Sequence, residues 1–151
     1  MFGGLLGLAN LGANYGLGML DQSIYDLLAQ RFSDLPSWGS VLAAPVVEEI
    51  VLRLFFMGVV AWVAARFIDD SHKTFLIALW FSAIVFGLLH TFRPLPDSSP
   101  FDIIYAVGIA IKSGAATFLL GWIFWKWGLP YAILCHAIAN VVHRLAEPML
   151  F

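Results

Sequence analysis

Three charges inside an apolar run constrain this chain more than any other feature. Residues 41–65 are long enough for a membrane helix and carry no charge except Glu48, Glu49 and Arg53. Each such charge costs up to about 2.5–3.5 kcal/mol at the centre of an inserted helix, against about 0.3–0.6 kcal/mol returned by each Leu, Ile, Phe or Val. A helix of this kind stays in a bilayer only if its charged face looks into protein or a wet cavity. An intramembrane functional site is therefore the first expectation, and a purely structural ion cluster is its rival.

The two acids are not equivalent. Glu49 and Arg53 stand at i and i+4 with the acid N-terminal, the favoured order for a helical ion pair, so Glu49 is expected to be neutralised within its own helix. Glu48 lies about 100° around the helix, faces Val51 and Leu52, and has no cation one turn away. A desolvated carboxylate without a local cation is a candidate general base.

The remainder of the chain suits a membrane. It has 151 residues, 61% hydrophobic and 12% charged, with a mean hydropathy of +0.87. Those values point to an integral, multi-pass membrane protein of a single domain, 1–151. A net charge of -2 gives no basic face for nucleic acid. Cys135 is the one cysteine, so there is no disulfide framework.

An all-α transmembrane bundle is predicted, with N-terminal weak or interfacial helical segments over 1–40 and a helical core over 41–151. Residues 1–20 lack charge but are rich in glycine. Gly3/Gly7 and Gly12/Gly16 have GxxxG spacing, which would let another helix approach closely; a flexible or interface-lying arm is the alternative. No Lys or Arg precedes this apolar part, which argues against a cleaved signal peptide. Residues 21–40 read as an amphipathic segment at the interface.

About four core spans follow, over 41–65, 74–92, 101–127 and 129–151. Residues 66–73 form a polar turn, with His72 a solvated loop residue. Residues 93–100 hold three prolines and two serines, and Gly128-Leu129-Pro130 separates the last two spans, with Pro130 suited to a first helical turn. Short connections make neighbouring helices antiparallel. That alternation brings Glu48, His90, His136 and Asn140 into one half of the bilayer. Lys112, in the middle of the third span, either lines the cavity or reaches for the interface.

His136 and Asn140 are one turn apart and share a face with His143. An imidazole and an amide at that spacing suit an oxyanion site. Ser82, Phe86 and His90 likewise share a face of the second span.

Glu48-Glu49-x-x-x-Arg53, Phe86-x-x-x-His90 and His136-x-x-x-Asn140, in that order, resemble the three-motif signature of the CAAX-processing and bacteriocin-processing (CPBP) intramembrane endopeptidases. The resemblance covers about residues 40–146. Compact length is shared with the myxosortase-like sorting peptidases, and Leu52 and Leu54 depart from the Phe and Gly that often flank the motif arginine.

The resemblance implies a glutamic endopeptidase without a cofactor. Glu48 and His90 would activate a water, His136 and Asn140 would stabilise the oxyanion, and Glu49 and Arg53 would support them. The implied partners are the lipid bilayer and a peptide or protein with a membrane-associated tail or leader; homo-oligomers are a further option. The rivals are a zinc enzyme that takes Glu48, His90 and His136 as ligands, although no HExxH is present, and a non-catalytic scaffold or bacteriocin-immunity protein. A rhomboid-type serine protease fits poorly, since Ser113 follows Lys112 and lies in no GxSG turn. Arg31, Arg93 and Arg144 on one face balance Arg66, Lys73 and Lys126 on the other, which leaves orientation open.

Overall fold

A computed structural model of the chain describes residues 1–20, 22, 26, 38–92 and 102–146, and every element among them is helical. Helix α1 spans Phe2–Leu20. Helix α2 is continuous in three stretches: Trp38–Glu49 is α-helical, Ile50–Met57 is wound as a π-helix, and Gly58–Ala64 returns to α-helix. Helix α3 covers Ser71–Leu89 and tightens into a 3₁₀ turn at His90–Phe92, α4 covers Asp102–Trp127, and α5 covers Leu129–Ala146. Most of the expected interfacial segment, the loop at 93–100 and residues 147–151 lie outside the described residues.

Local chemistry sets the joints. Asp70 caps α3, its Oδ1 accepting the backbone N–H groups of His72 and Lys73 at 2.9 and 3.1 Å. His72, expected in a solvated turn, therefore sits in the first turn of α3, its ring edge-on to Trp125 at 5.0 Å. Gly128 adopts a φ of 88° that only glycine takes readily. Its N–H donates to the Phe124 carbonyl at 2.8 Å, closing α4, and Pro130 then occupies the first turn of α5, where its missing N–H is no loss.

Small residues let the helices meet. A Cβ at Gly87 would lie 2.5 Å from the Ala110 carbonyl oxygen, and one at Gly114 would lie 3.1 Å from that of Ala83, so α3 and α4 cross backbone to backbone. On α1, Cβ atoms at Gly3 and Gly7 would lie 2.6 and 2.7 Å from the carbonyl oxygens of Cys135 and Ala139. The first GxxxG pair thus seats α1 parallel to α5. The second does not: Gly12 and Gly16 have nothing within 4 Å of such an atom. Residues 2–20 form a regular helix despite their low propensity because this close contact holds them.

Two helices, Ser71–Leu89 and Ile103–Trp127, are long and apolar enough among the described residues to cross a membrane. Only 33% and 28% of their most apolar windows are buried inside the protein, so most of each turns an apolar surface outward. The other expected spans fall short for a physical reason. In α2 the π stretch divides the helix into pieces of 12, 8 and 7 residues and Glu48, Glu49 and Arg53 stand close together, while in α5 His136, Asn140, His143 and Arg144 lower the hydropathy.

Aromatic and cationic side chains gather at both ends of the bundle. At one end Arg66 lies over Trp62 at 4.2 Å, and Lys126 over Trp125 at 4.4 Å. At the other Arg144 lies over Trp38 at 4.8 Å. Glu48, Glu49, His90, His136 and Asn140 lie in the half of the bundle toward Trp38.

Candidate active site

Glu48, His90, His136 and Asn140, predicted from three separate stretches, line a single cavity of about 210 Å³ among the helices. Glu49 forms part of its wall, and Arg53 lies behind, 1% exposed.

The anchor of the site is Glu49, wholly buried at the last α-helical residue before the π stretch. Its Oε2 accepts Nε of Arg53 at 2.7 Å and its Oε1 accepts Nη2 at 3.4 Å, the two-pronged pairing that suits a guanidinium. This is the expected i,i+4 pair. A third partner was not legible in the sequence: Nδ1 of His136 lies 2.9 Å from Oε1 of Glu49. A carboxylate in an ion pair can only accept, so Nδ1 donates, and the imidazole of α5 is held by the acid of α2.

That bond decides what His136 offers the cavity. With Nδ1 committed, Nε2 is its working nitrogen, and it stands 3.8 Å from Oε2 of Glu48. Glu48, without a cation one turn away on its own helix, is met by an imidazole from another. Its side chain is 41% exposed, against 0% for Glu49, so Glu48 is the accessible acid of the two and Glu49 the structural one. Leu52 lines the cavity with Glu48, as expected, whereas Val51 turns outward.

His90 stands in the 3₁₀ turn that ends α3. Nδ1 donates to the Phe86 carbonyl at 3.0 Å and the two rings lie 4.3 Å apart, so Phe86 orients the imidazole through both contacts. Ser82, from the same predicted face, does not line the cavity; its Oγ is buried and without a hydrogen-bond partner.

Asn140 is aimed by a proline. Pro45, fully buried inside α2, has no N–H to give the carbonyl of Val41 four residues earlier. Asn140 Nδ2 donates to that carbonyl in a long bond of 3.5 Å. One amide hydrogen is thereby turned to α2, and the group keeps a second N–H.

Five more polar residues line the cavity: Asn10, Lys112, Ser113, Thr117 and His143. Lys112 Nζ donates to Asn14 Oδ1 at 2.7 Å, and Asn14 Nδ2 lies 3.0 Å from His143 Nε2. Of the two placements considered for Lys112, the structure shows the cavity. The asparagines of α1 were missed, although two amides four residues apart on an uncharged helix were a signal. Among the described residues no three His, Cys, Asp or Glu side chains are grouped to hold a metal ion.

The family described as Type II CAAX prenyl endopeptidase Rce1-like is matched over residues 34–142. That stretch is more than half of the chain and runs from ahead of Pro45 to just past Asn140. Neither curated proteins nor solved structures give a match.

Proposed function

Because the chain belongs to the Rce1-like family of type II CAAX prenyl endopeptidases, we propose that it is a multi-pass intramembrane endopeptidase. It cleaves a peptide bond near one membrane face, in the tail or leader of a membrane-associated protein. Glu48 is the general base. It takes a proton from a water that His90 helps to hold, and the water oxygen attacks the scissile carbonyl. Asn140 and a protonated Nε2 of His136 donate to the oxygen as it becomes negative. The tetrahedral species collapses as the C–N bond breaks, and Glu48 returns its proton to the departing amine. Glu49 and Arg53 position His136 and touch no reacting atom.

One observation carries this reading: the accessible acid, two imidazoles and an amide, from three helices, surround one cavity. The aromatic and cationic side chains at both ends of the bundle suit the two faces of a bilayer.

The test is hydrolysis of an S-farnesyl CAAX peptide, and of candidate membrane-protein tails and leaders, by purified protein, read by mass spectrometry. Glu48→Gln keeps the shape and removes the base, and is expected to lower cleavage by at least about 10²-fold. Equal cleavage by variant and wild type would refute the assignment. Equal complementation of a processing defect by both would select the scaffold.

A further inference from the structure

The cavity has a wall that the mechanism above does not use. Helix α1 lies wholly ahead of the stretch matched by the family, residues 34–142, yet it brings Asn10 to the same lining as Glu48, His90 and Asn140. Gly3 and Gly7 hold it there, since a Cβ on either would run into a backbone carbonyl of α5. Leu6 and Leu11, on the same side of α1, are buried.

The two asparagines of α1 are placed differently. Asn14 is 2% exposed and commits its amide to Lys112 and His143. Asn10, one turn earlier, is half-buried, and its amide forms no hydrogen bond among the described residues. A primary amide is costly on an apolar, uncharged helix unless something pairs with it. Asn10 therefore holds one acceptor and two donors at the cavity wall with no protein group to take them.

An extended peptide has the matching need. Inside a helical bundle its main-chain N–H and C=O groups have no ladder to pair them, and each group left unpaired away from water is costly. A side-chain amide can accept from one such N–H and donate to one such C=O, whatever side chains the peptide carries. Helix register says which part of the peptide is in reach. Gly3 meets the carbonyl of Cys135 and Gly7 that of Ala139, so Asn10, three residues on, comes level with Val142. That is about 3 Å along the axis from Asn140, and one extended residue spans about 3.3–3.6 Å.

We propose that Asn10 is a substrate-binding residue that pairs with the main chain of the peptide within about two residues of the scissile bond, so that α1 completes the binding site. The inference rests on the peptidase reading for its scissile bond, and adds to it a backbone contact that is blind to sequence.

Asn10→Leu keeps the size of the side chain and removes both hydrogen-bonding functions. It is expected to raise KM for an S-farnesyl CAAX peptide about three- to tenfold, with kcat changed less than about twofold and a melting temperature no lower than that of wild type. Asn10→Gln is expected to recover part of the loss. Peptides that differ in the side chains around the scissile bond should show the same factor. An unchanged KM, or a loss confined to kcat or to melting temperature, overturns the proposal.

An ester scan of the substrate tests the contact on the wild-type fold. Main-chain N–H groups within three residues of the scissile bond are replaced by oxygen one at a time, the scissile bond itself excepted. Wild type is expected to lose about three- to tenfold in KM at one position, and Asn10→Leu to show no penalty there. Indifference of wild type to every replacement overturns the proposal, as does a penalty of equal size in Asn10→Leu.

Binding of a fluorescently labelled peptide to Glu48→Gln protein, with and without Asn10→Leu, separates this contact from the peptidase reading. Weaker binding with Asn10→Leu, and no cleavage by wild type, sinks the peptidase and keeps the contact. Cleavage by wild type, with KM and binding unmoved by Asn10→Leu, does the reverse.

Discussion

Nδ1 of His136 lies 2.9 Å from Oε1 of Glu49, the same carboxylate that takes Nε of Arg53 at 2.7 Å. One buried acid thus ties the midpoint of α5 to α2 and leaves the neighbouring acid accessible. The division of labour between Glu48 and Glu49 is a matter of which groups surround each, since their chemistry is the same.

Glu49→Gln leaves Arg53 buried without its counter-charge, at a cost of about 3–5 kcal/mol, and releases His136. We expect a markedly lower melting temperature in detergent together with loss of cleavage. Glu48→Gln is expected to lose cleavage while melting close to wild type. Thermal unfolding of both variants in one detergent checks the pair, and a Glu49→Gln protein as stable as wild type would contradict the assigned role.

Glycines on the two sides of the bundle are expected to behave in opposite ways. Gly87→Ala pushes a methyl group to 2.5 Å from the Ala110 carbonyl oxygen and should destabilise by about 1–3 kcal/mol. Gly12→Ala meets nothing within 4 Å and should be neutral or stabilising by about 0.5–1 kcal/mol. Unfolding midpoints of the two variants would reveal a wrong helix contact at once.

Asn140 and Pro45 are coupled. Asn140→Ala should lower cleavage by about 10²–10³-fold. Pro45→Ala restores an N–H that competes for the Val41 carbonyl, and should lower cleavage without lowering stability. Combined, the two changes should cost no more than Asn140→Ala alone. Additive losses in kcat would show that proline and amide act separately.

Cleavage should survive extensive chelation, and purified active protein should carry no stoichiometric zinc. Elemental analysis with a chelator titration decides this. Zinc at one equivalent, required for activity, would transfer Glu48, His90 and His136 to the rival metal reading.

Much of the candidate site was legible because polar and ionisable groups in apolar helices are too costly to be incidental. Glu48, the Glu49–Arg53 pair, His90, His136 and Asn140 all announce themselves in this way, and counting helix direction brings them to one end. What stayed hidden depended on contacts between distant helices. The bond from His136 to Glu49 joins residues 87 apart, and that from Lys112 to Asn14 residues 98 apart; no local spacing encodes either. The glycine pairs show the same limit: Gly3/Gly7 and Gly12/Gly16 share a pattern, but only the first has a helix opposite. The count of spans was obscured by the candidate site itself, whose three charges and π winding interrupt α2 and whose polar residues lower the hydropathy of α5.

The wide winding of Ile50–Met57 affects how α2 is drawn. A helical wheel advanced by about 100° per residue assumes α-helical turns throughout, and it places side chains beyond Glu49 progressively too far round. Leu52, Arg53 and Met57 are buried while Leu54 and Phe55 face outward. Removing one residue from this stretch would let it relax into ordinary turns, leaving the acids where they are and Trp62 near its present side of the bundle, because a wide turn accommodates one extra residue with little change in the rotation of the helix beyond it.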